Sequence, residues 1–225
     1  MIITVYNAKG GAGKTPIATN IALDREYALG TNEQFHVFDG FIPDNRLMAI
    51  EMDEEFPAFG DIDVVLDLAG AISKHSHSIS SALSQSDLVL VPISSEVKSI
   101  VGGIGTIKEI GKFTDRIAVV ATKLAKESGE ILNPKQDGWE QSRQYQIIKR
   151  AVQENTAKGD QIPVFPLKFS KVFDAIFEKE KSIHQLMEAD PLAAYNYRDV
   201  SGQFDEIYNH IDEMNHAQQK RSLSA

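Results

Sequence analysis

Two lysines bracket a run of glycines near the start of this chain: Lys9-Gly10-Gly11-Ala12-Gly13-Lys14-Thr15. Glycines let a backbone approach phosphate oxygens and adopt conformations that a side chain forbids. Successive N–H groups in such a loop form an anion nest at the start of a helix. Lys14 is placed to reach the outer phosphates, and the Thr15 hydroxyl suits a magnesium ion. The context agrees. Ile2-Ile3-Thr4-Val5-Tyr6 reads as a buried strand before the loop, and Ile17, Ala18, Ile21 and Ala22 have helical spacing after it. That helix is expected to run to about Leu29 and stop at Gly30. Pro16 sits in its first turn, where a proline is tolerated but supplies neither an N–H nor a hydroxyl to an inner phosphate.

Further acids and turns punctuate the chain. Ile62, Val64, Val65 and Leu66 lead to Asp67 at an expected strand end, a place to hold a magnesium-bound water. Phe35-His36-Val37-Phe38 reads as a second strand ending at Asp39, with Asp44 farther along the same loop. Strands are expected over Ser86 to Pro92, Arg116 to Thr122 and Ile162 to Leu167, with helices near Lys98 to Lys112, Trp139 to Ala157, Val172 to Lys181 and Ser201 to Ala217. Strands alternating with helices imply an α/β fold with a mainly parallel sheet covered on both faces, and a ligand at the C-terminal edge of the strands.

The loop departs from the general G-x-x-x-x-G-K-[ST] pattern, since Ala8 stands at the first glycine and Lys9 is an additional lysine. This variant resembles the deviant Walker-A loop of the ParA/MinD family of P-loop ATPases. The resemblance covers roughly residues 1 to 190. It is carried by Lys9 to Thr15, by Asp67 with Leu68-Ala69-Gly70, and by the strand after it. It implies ATP and Mg2+ as cofactors, with Lys9 to Pro16, Thr122 and Lys123 at the nucleotide. Thr15 holds magnesium directly and Asp67 does so through water. It also implies a nucleotide-sandwich homodimer in which Lys9 reaches the partner's phosphates. The catalytic set becomes Lys9, Lys14 and Asp39. The family's second acid on that loop falls on Phe41, which argues against fast hydrolysis. No helix-turn-helix precedes the loop, which resembles small plasmid-type partition proteins working with a DNA-bound, ParB-like adaptor.

Composition narrows the rest. The chain has 225 residues, a formal charge of −9 and 42% hydrophobic residues, which suits one domain spanning residues 1 to 225, with a disordered tail from about 218. It has no cysteine, which excludes disulfides, thiolate metal sites and iron–sulfur clusters. An acidic chain binds nonspecific DNA only through a local basic patch, and Arg143, Lys149, Arg150 and Lys158 are the candidates. The last expected helix is acidic, so membrane attachment is not expected, and a cytoplasmic location is. Lys74-His75-Ser76-His77-Ser78 reads as a solvated loop rather than a metal site. In Thr122-Lys123-Leu124-Ala125, Ala125 stands where a guanine-binding Asp would, which favours ATP over GTP. Two other readings remain: a scaffold that hydrolyses slowly or not at all, and a small-molecule ligase of the dethiobiotin synthetase type, for which no acid-binding constellation is found.

Overall fold

The computed structural model describes residues 1–70, 76–132 and 138–222. Seven strands form one sheet in the order β3-β2-β4-β1-β5-β6-β7, every neighbouring pair parallel. They are β1 (Ile2–Val5), β2 (Ala28–Thr31), β3 (Leu47–Ala49), β4 (Val64–Asp67), β5 (Leu88–Ile93), β6 (Ile117–Leu124) and β7 (Val164–Lys168). The helices are α1 (Lys14–Asp24), α2 (His77–Gln85), α3 (Val97–Ile110), α4 (Arg143–Asn155), α5 (Val172–Lys179), α6 (Ile183–Ala189) and α7 (Pro191–Ser222).

A parallel sheet must be covered on both faces, and its strands then read as continuous apolar runs. Leu88 to Ile93 are accordingly buried throughout. One face packs Ile3, Val5, Leu29 and Val65 against α1, α5, α6 and α7, through Ile17, Ile21, Ile176, Ile183, Phe204 and Ile207. The other packs Val64, Leu66, Val89 and Val91 against α2, α3 and α4, through Leu83, Ile107, Tyr145 and Ile148.

The second strand is not where the apolar pattern placed it. α1 ends at Asp24, the Arg25 N–H bonds the Ile21 carbonyl, and Glu26 turns the chain with φ 53°. A left-handed glutamate is not a composition signal, so the early stop was invisible in the sequence. Residues 28 to 31, read as helix and stop, are β2. Gly30 serves the sheet instead of ending a helix: a Cβ there would stand 2.5 Å from Leu66 Cδ2 and 3.1 Å from Phe56 Cε1. Phe35 to Phe38 pair with no strand. Phe38 is buried while Phe35 and Val37 are exposed, so their alternation reflects a loop pinned by one side chain.

The C-terminal part also differs. Ser182 caps α6 with a capping box shared with Gln185. Pro191 is the first residue of α7, where a missing N–H costs nothing, so the last helix starts ten residues before the expected Ser201. α7 then continues to Ser222, through residues expected to form the tail. Lys74 and His75 of the histidine loop lie outside the described residues. Among the described residues no helix is long and apolar enough to cross a membrane.

Candidate functional site

Register brings the site together. Val5 of β1 pairs with Asp67 of β4, and Asp67 with Thr31 of β2, so three strand ends stand abreast at one sheet edge. Paired residues share a face, here the one carrying α1. The glycine loop leaves β1 at this edge and returns as α1.

The loop's entry is held by Asn7, which is fully buried. Its Nδ2 donates to the Pro92 carbonyl at 2.7 Å, and its Oδ1 accepts from the Lys9 N–H at 2.9 Å. The Ala8 N–H donates to Thr106 of α3 at 3.2 Å. The crown is open: an added Cβ at Gly10 or Gly11 would meet no atom within 4 Å, and Gly11 and Gly13 have φ of 71° and 93°. A substitution at Gly11 or Gly13 is therefore opposed by backbone conformation rather than crowding. Gly13 caps α1 without a side-chain bond, leaving the first helical N–H groups available to an anion. Lys14 is buried under the loop. From β6, Thr122 Oγ1 donates to the Ala12 carbonyl at 3.1 Å, and Lys123 Nζ to the Gly11 carbonyl at 2.8 Å. Gly70 closes the loop from below, where a Cβ would lie 3.1 Å from both the Ala8 carbonyl and the Gly10 N–H.

Asp67 is 1% exposed, and neither carboxylate oxygen has a hydrogen-bond partner of normal geometry. Burial pushes its pKa up to about 7, the Thr15 hydroxyl and the Lys14 charge oppose that rise, and the Glu33 charge adds to it. A buried, unpartnered carboxylate beside a hydroxyl is an oxygen donor set that suits magnesium. The residues present fit that ion, with Thr15 and Asp67 as its protein side.

Beside the loop lies a mostly apolar cavity of about 130 Å3. Its walls include Gly13, Pro16, Thr122, Leu167, Phe169 and Phe173. Phe169 is 64% exposed there. Pro16 thus lines an apolar cavity, in addition to starting the helix. On the opposite side Lys9 lies over Gly102 of α3, and its Nζ meets Glu96 at 3.2 Å. Val97 and Val101 stand exposed on that helix.

The structure thus gathers Lys9 to Pro16, Asp67, Thr122 and Lys123. It does not bring Asp39 to the strand edge. That residue lies in a turn, 84% exposed, 3.7 Å from His36. The reason is the shifted β2, whose end at Thr31 delivers Asn32 and Glu33 instead. Asp44 likewise sits exposed in a short 3-10 turn before the edge strand β3. Phe41 meets Phe177 of α5 edge-on at 6.2 Å, so its apolar side chain has a packing role. Sequence reasoning missed Asn7, Asn32, Glu96, Phe169 and Phe173, which line or brace the loop and its surroundings. The available signal was Gly30, if taken as a strand position under close packing rather than a helix stop.

No protein-family model and no curated protein matches the sequence. Solved structures do match in shape. Apo McdA from Cyanothece superposes with a TM-score of 0.63 at 13% identity, covering 93% of this chain and 98% of its own. MinD from Pyrococcus horikoshii, complexed with Mg-ADP, gives 0.53 at 12% identity, covering 92% and 96%. A protein assigned to plasmid partition from Borrelia burgdorferi, bound to AMPPNP, gives 0.50 at 12%, covering 80% and 90%. The chain therefore has the fold of the ParA/MinD-type deviant Walker-A ATPases.

Proposed function

We propose that this chain is a magnesium-dependent ATPase that dimerises around its nucleotide and positions a cargo, plasmid DNA first among the candidates, through a partner protein. The observation that carries the reading is the open loop from Lys9 to Thr15 with the buried, unpartnered Asp67 beside Thr15. Nucleotides in the Borrelia and Pyrococcus structures support it.

In this reading the loop N–H groups and Lys14 hold the β- and γ-phosphates. Thr15 and Asp67 hold magnesium, the second through water. The base enters the slot between Pro16 and Phe169, whose apolar walls offer stacking. Thr122 and Lys123 brace the loop from β6, keeping its N–H groups aimed at the phosphates. When bound, magnesium supplies charge neutralisation on the transferring phosphoryl group. Lys9 leaves Glu96 to reach the partner's nucleotide, and Val97 and Val101 become covered in the dimer. An exposed ion pair such as Lys9–Glu96 is worth little, so the exchange is inexpensive. Arg143 and Arg150 of α4, flanking exposed Ile147, provide the local patch for nonspecific DNA.

Light scattering with magnesium and ATP tests this. The wild type is expected to dimerise. Lys14→Ala should lose nucleotide binding, while Lys9→Ala should bind nucleotide yet remain monomeric. Dimerisation by Lys9→Ala would remove the role given to that lysine. Hydrolysis measured with and without DNA at two salt concentrations tests the patch. An absence of stimulated turnover would favour the nucleotide-dependent scaffold, a reading already encouraged by neutral Asn32 at the end of β2.

A further inference from the structure

We propose that His184 is a proton-operated clasp between the far end of the phosphate-loop helix and the last helix, tightened when its ring is charged. The clasp stands whether or not the loop takes ATP.

The ring sits where three helices meet. α1 brings Asp24 and Arg25 at its C-terminal end, α6 brings His184 and Glu188, and α7 brings Asp205 and Tyr208. Ser201, Asp205 and Tyr208 are four and three residues apart, so one stripe of α7 faces the ring.

Both ring nitrogens have partners. Asp24 Oδ2 lies 2.5 Å from Nδ1, and the side chain of Asp24 is buried. The same carboxylate accepts from Ser182 Oγ at 2.5 Å and from the Tyr208 hydroxyl at 2.8 Å. Burial, with the Asp24 charge adding to it, raises the Tyr208 pKa and keeps that phenol a donor. Asp24 is thus the acceptor of the group, and Nδ1 carries the proton between them.

Nε2 is where the two forms of the ring differ. It lies 2.9 Å from Ser201 Oγ and 3.2 Å from Asp205 Oδ1. In the neutral ring Nε2 is an acceptor. It then takes the Ser201 hydroxyl proton and has nothing to offer the Asp205 carboxylate. In the charged ring Nε2–H donates to Asp205, and one imidazolium ties Asp24 of α1 to Asp205 of α7. Solvent protons reach the pair, since the His184 side chain is 36% exposed and that of Asp205 54%. Arg25, the cation on this cavity, is engaged elsewhere: it is held by Asp212 at 2.9 and 3.1 Å and lies over the Tyr208 ring. Glu188, one turn on from His184, adds negative charge beside the ring.

These carboxylate partners exist only in the folded chain. The clasp therefore adds stability while the ring is charged, and it loses the Asp205 arm as pH rises through the histidine range, between about pH 5 and pH 8. Ser201 acts in the reverse direction, because only the neutral ring accepts its proton.

The experiment measures melting temperatures of nucleotide-free wild type, Asp205→Asn, Ser201→Ala, His184→Gln and the His184→Gln/Asp205→Asn double variant, at about pH 5.5 and pH 8, with long-range 1H–15N spectra of the His184 ring. The spectra should show both ring nitrogens protonated at the lower pH and Nδ1 alone at the higher. Wild type should lead Asp205→Asn by about 2–4 °C at the lower pH and by under about 1 °C at the higher. Ser201→Ala should lose more at the higher pH. Asp67 titrates in every variant and cancels in these differences. In the His184→Gln background the lead over Asp205→Asn should no longer depend on pH. Should His184→Gln fail to fold, the Asp205→Asn and Ser201→Ala comparisons decide alone. A lead over Asp205→Asn that is equal at both pH values overturns the proposal. So does a pH-dependent lead that survives in the His184→Gln background, a Ser201→Ala loss that is not greater at the higher pH, or a ring that keeps one form throughout.

Discussion

Asp67→Asn offers a measurement that needs no nucleotide. The fold raises the Asp67 pKa from 3.8 to about 7, chiefly by burial. The folded state therefore binds this proton more tightly than the unfolded chain does. The stability that the neutral acid confers is complete below about pH 4 and is lost as pH rises through about 7. At 1.36 kcal/mol per pH unit of difference, the loss between pH 4 and pH 8 comes to about 4 kcal/mol, with about 2.5 kcal/mol of it above pH 5. Asparagine is nearly isosteric and never ionises, so it escapes the loss. Urea denaturation in EDTA, without nucleotide, should show Asp67→Asn gaining on the wild type by about 2.5 kcal/mol between pH 5 and pH 8. Other titrating groups are common to both proteins and cancel in the difference. Magnesium-ATP should reverse the order at pH 8, because only the wild type has a carboxylate to offer the ion. A stability gap that does not change with pH would refute the argument that burial holds this carboxylate neutral.

Gly30→Ala should destabilise by about 1–3 kcal/mol in urea, because the new methyl collides with Leu66 Cδ2; a neutral effect would mean that β2 and β4 separate easily. Lys123→Ala releases the Gly11 carbonyl and should weaken mant-ATP binding about threefold to tenfold without lowering the melting temperature. Asp24→Asn strikes a buried hub that accepts from Ser182 Oγ and Tyr208 OH and faces His184 Nδ1. Its loss should cost about 3 kcal/mol by denaturation and leave nucleotide affinity nearly intact, since the hub joins the far end of α1 to α6 and α7.

Local chemistry was enough to read the phosphate loop. Its glycines, Lys9, Lys14 and Thr15 are contiguous, and backbone requirements act over a few residues. The same holds for Asp67 at the end of a fully buried run, and for the parallel α/β architecture that such runs imply. Asp39 was misjudged because apolar alternation reports burial rather than pairing: Phe38 is buried in a loop, while β2 reads as a weak helix end with a glycine inside it. What selects Ala28 to Thr31 as the strand is contact with Leu66 and Phe56, residues distant in the chain. Only tertiary packing sums such contacts. That one displacement left Asp39 in an exposed turn and placed Asn32 under Ala69, at the strand edge beside Asp67.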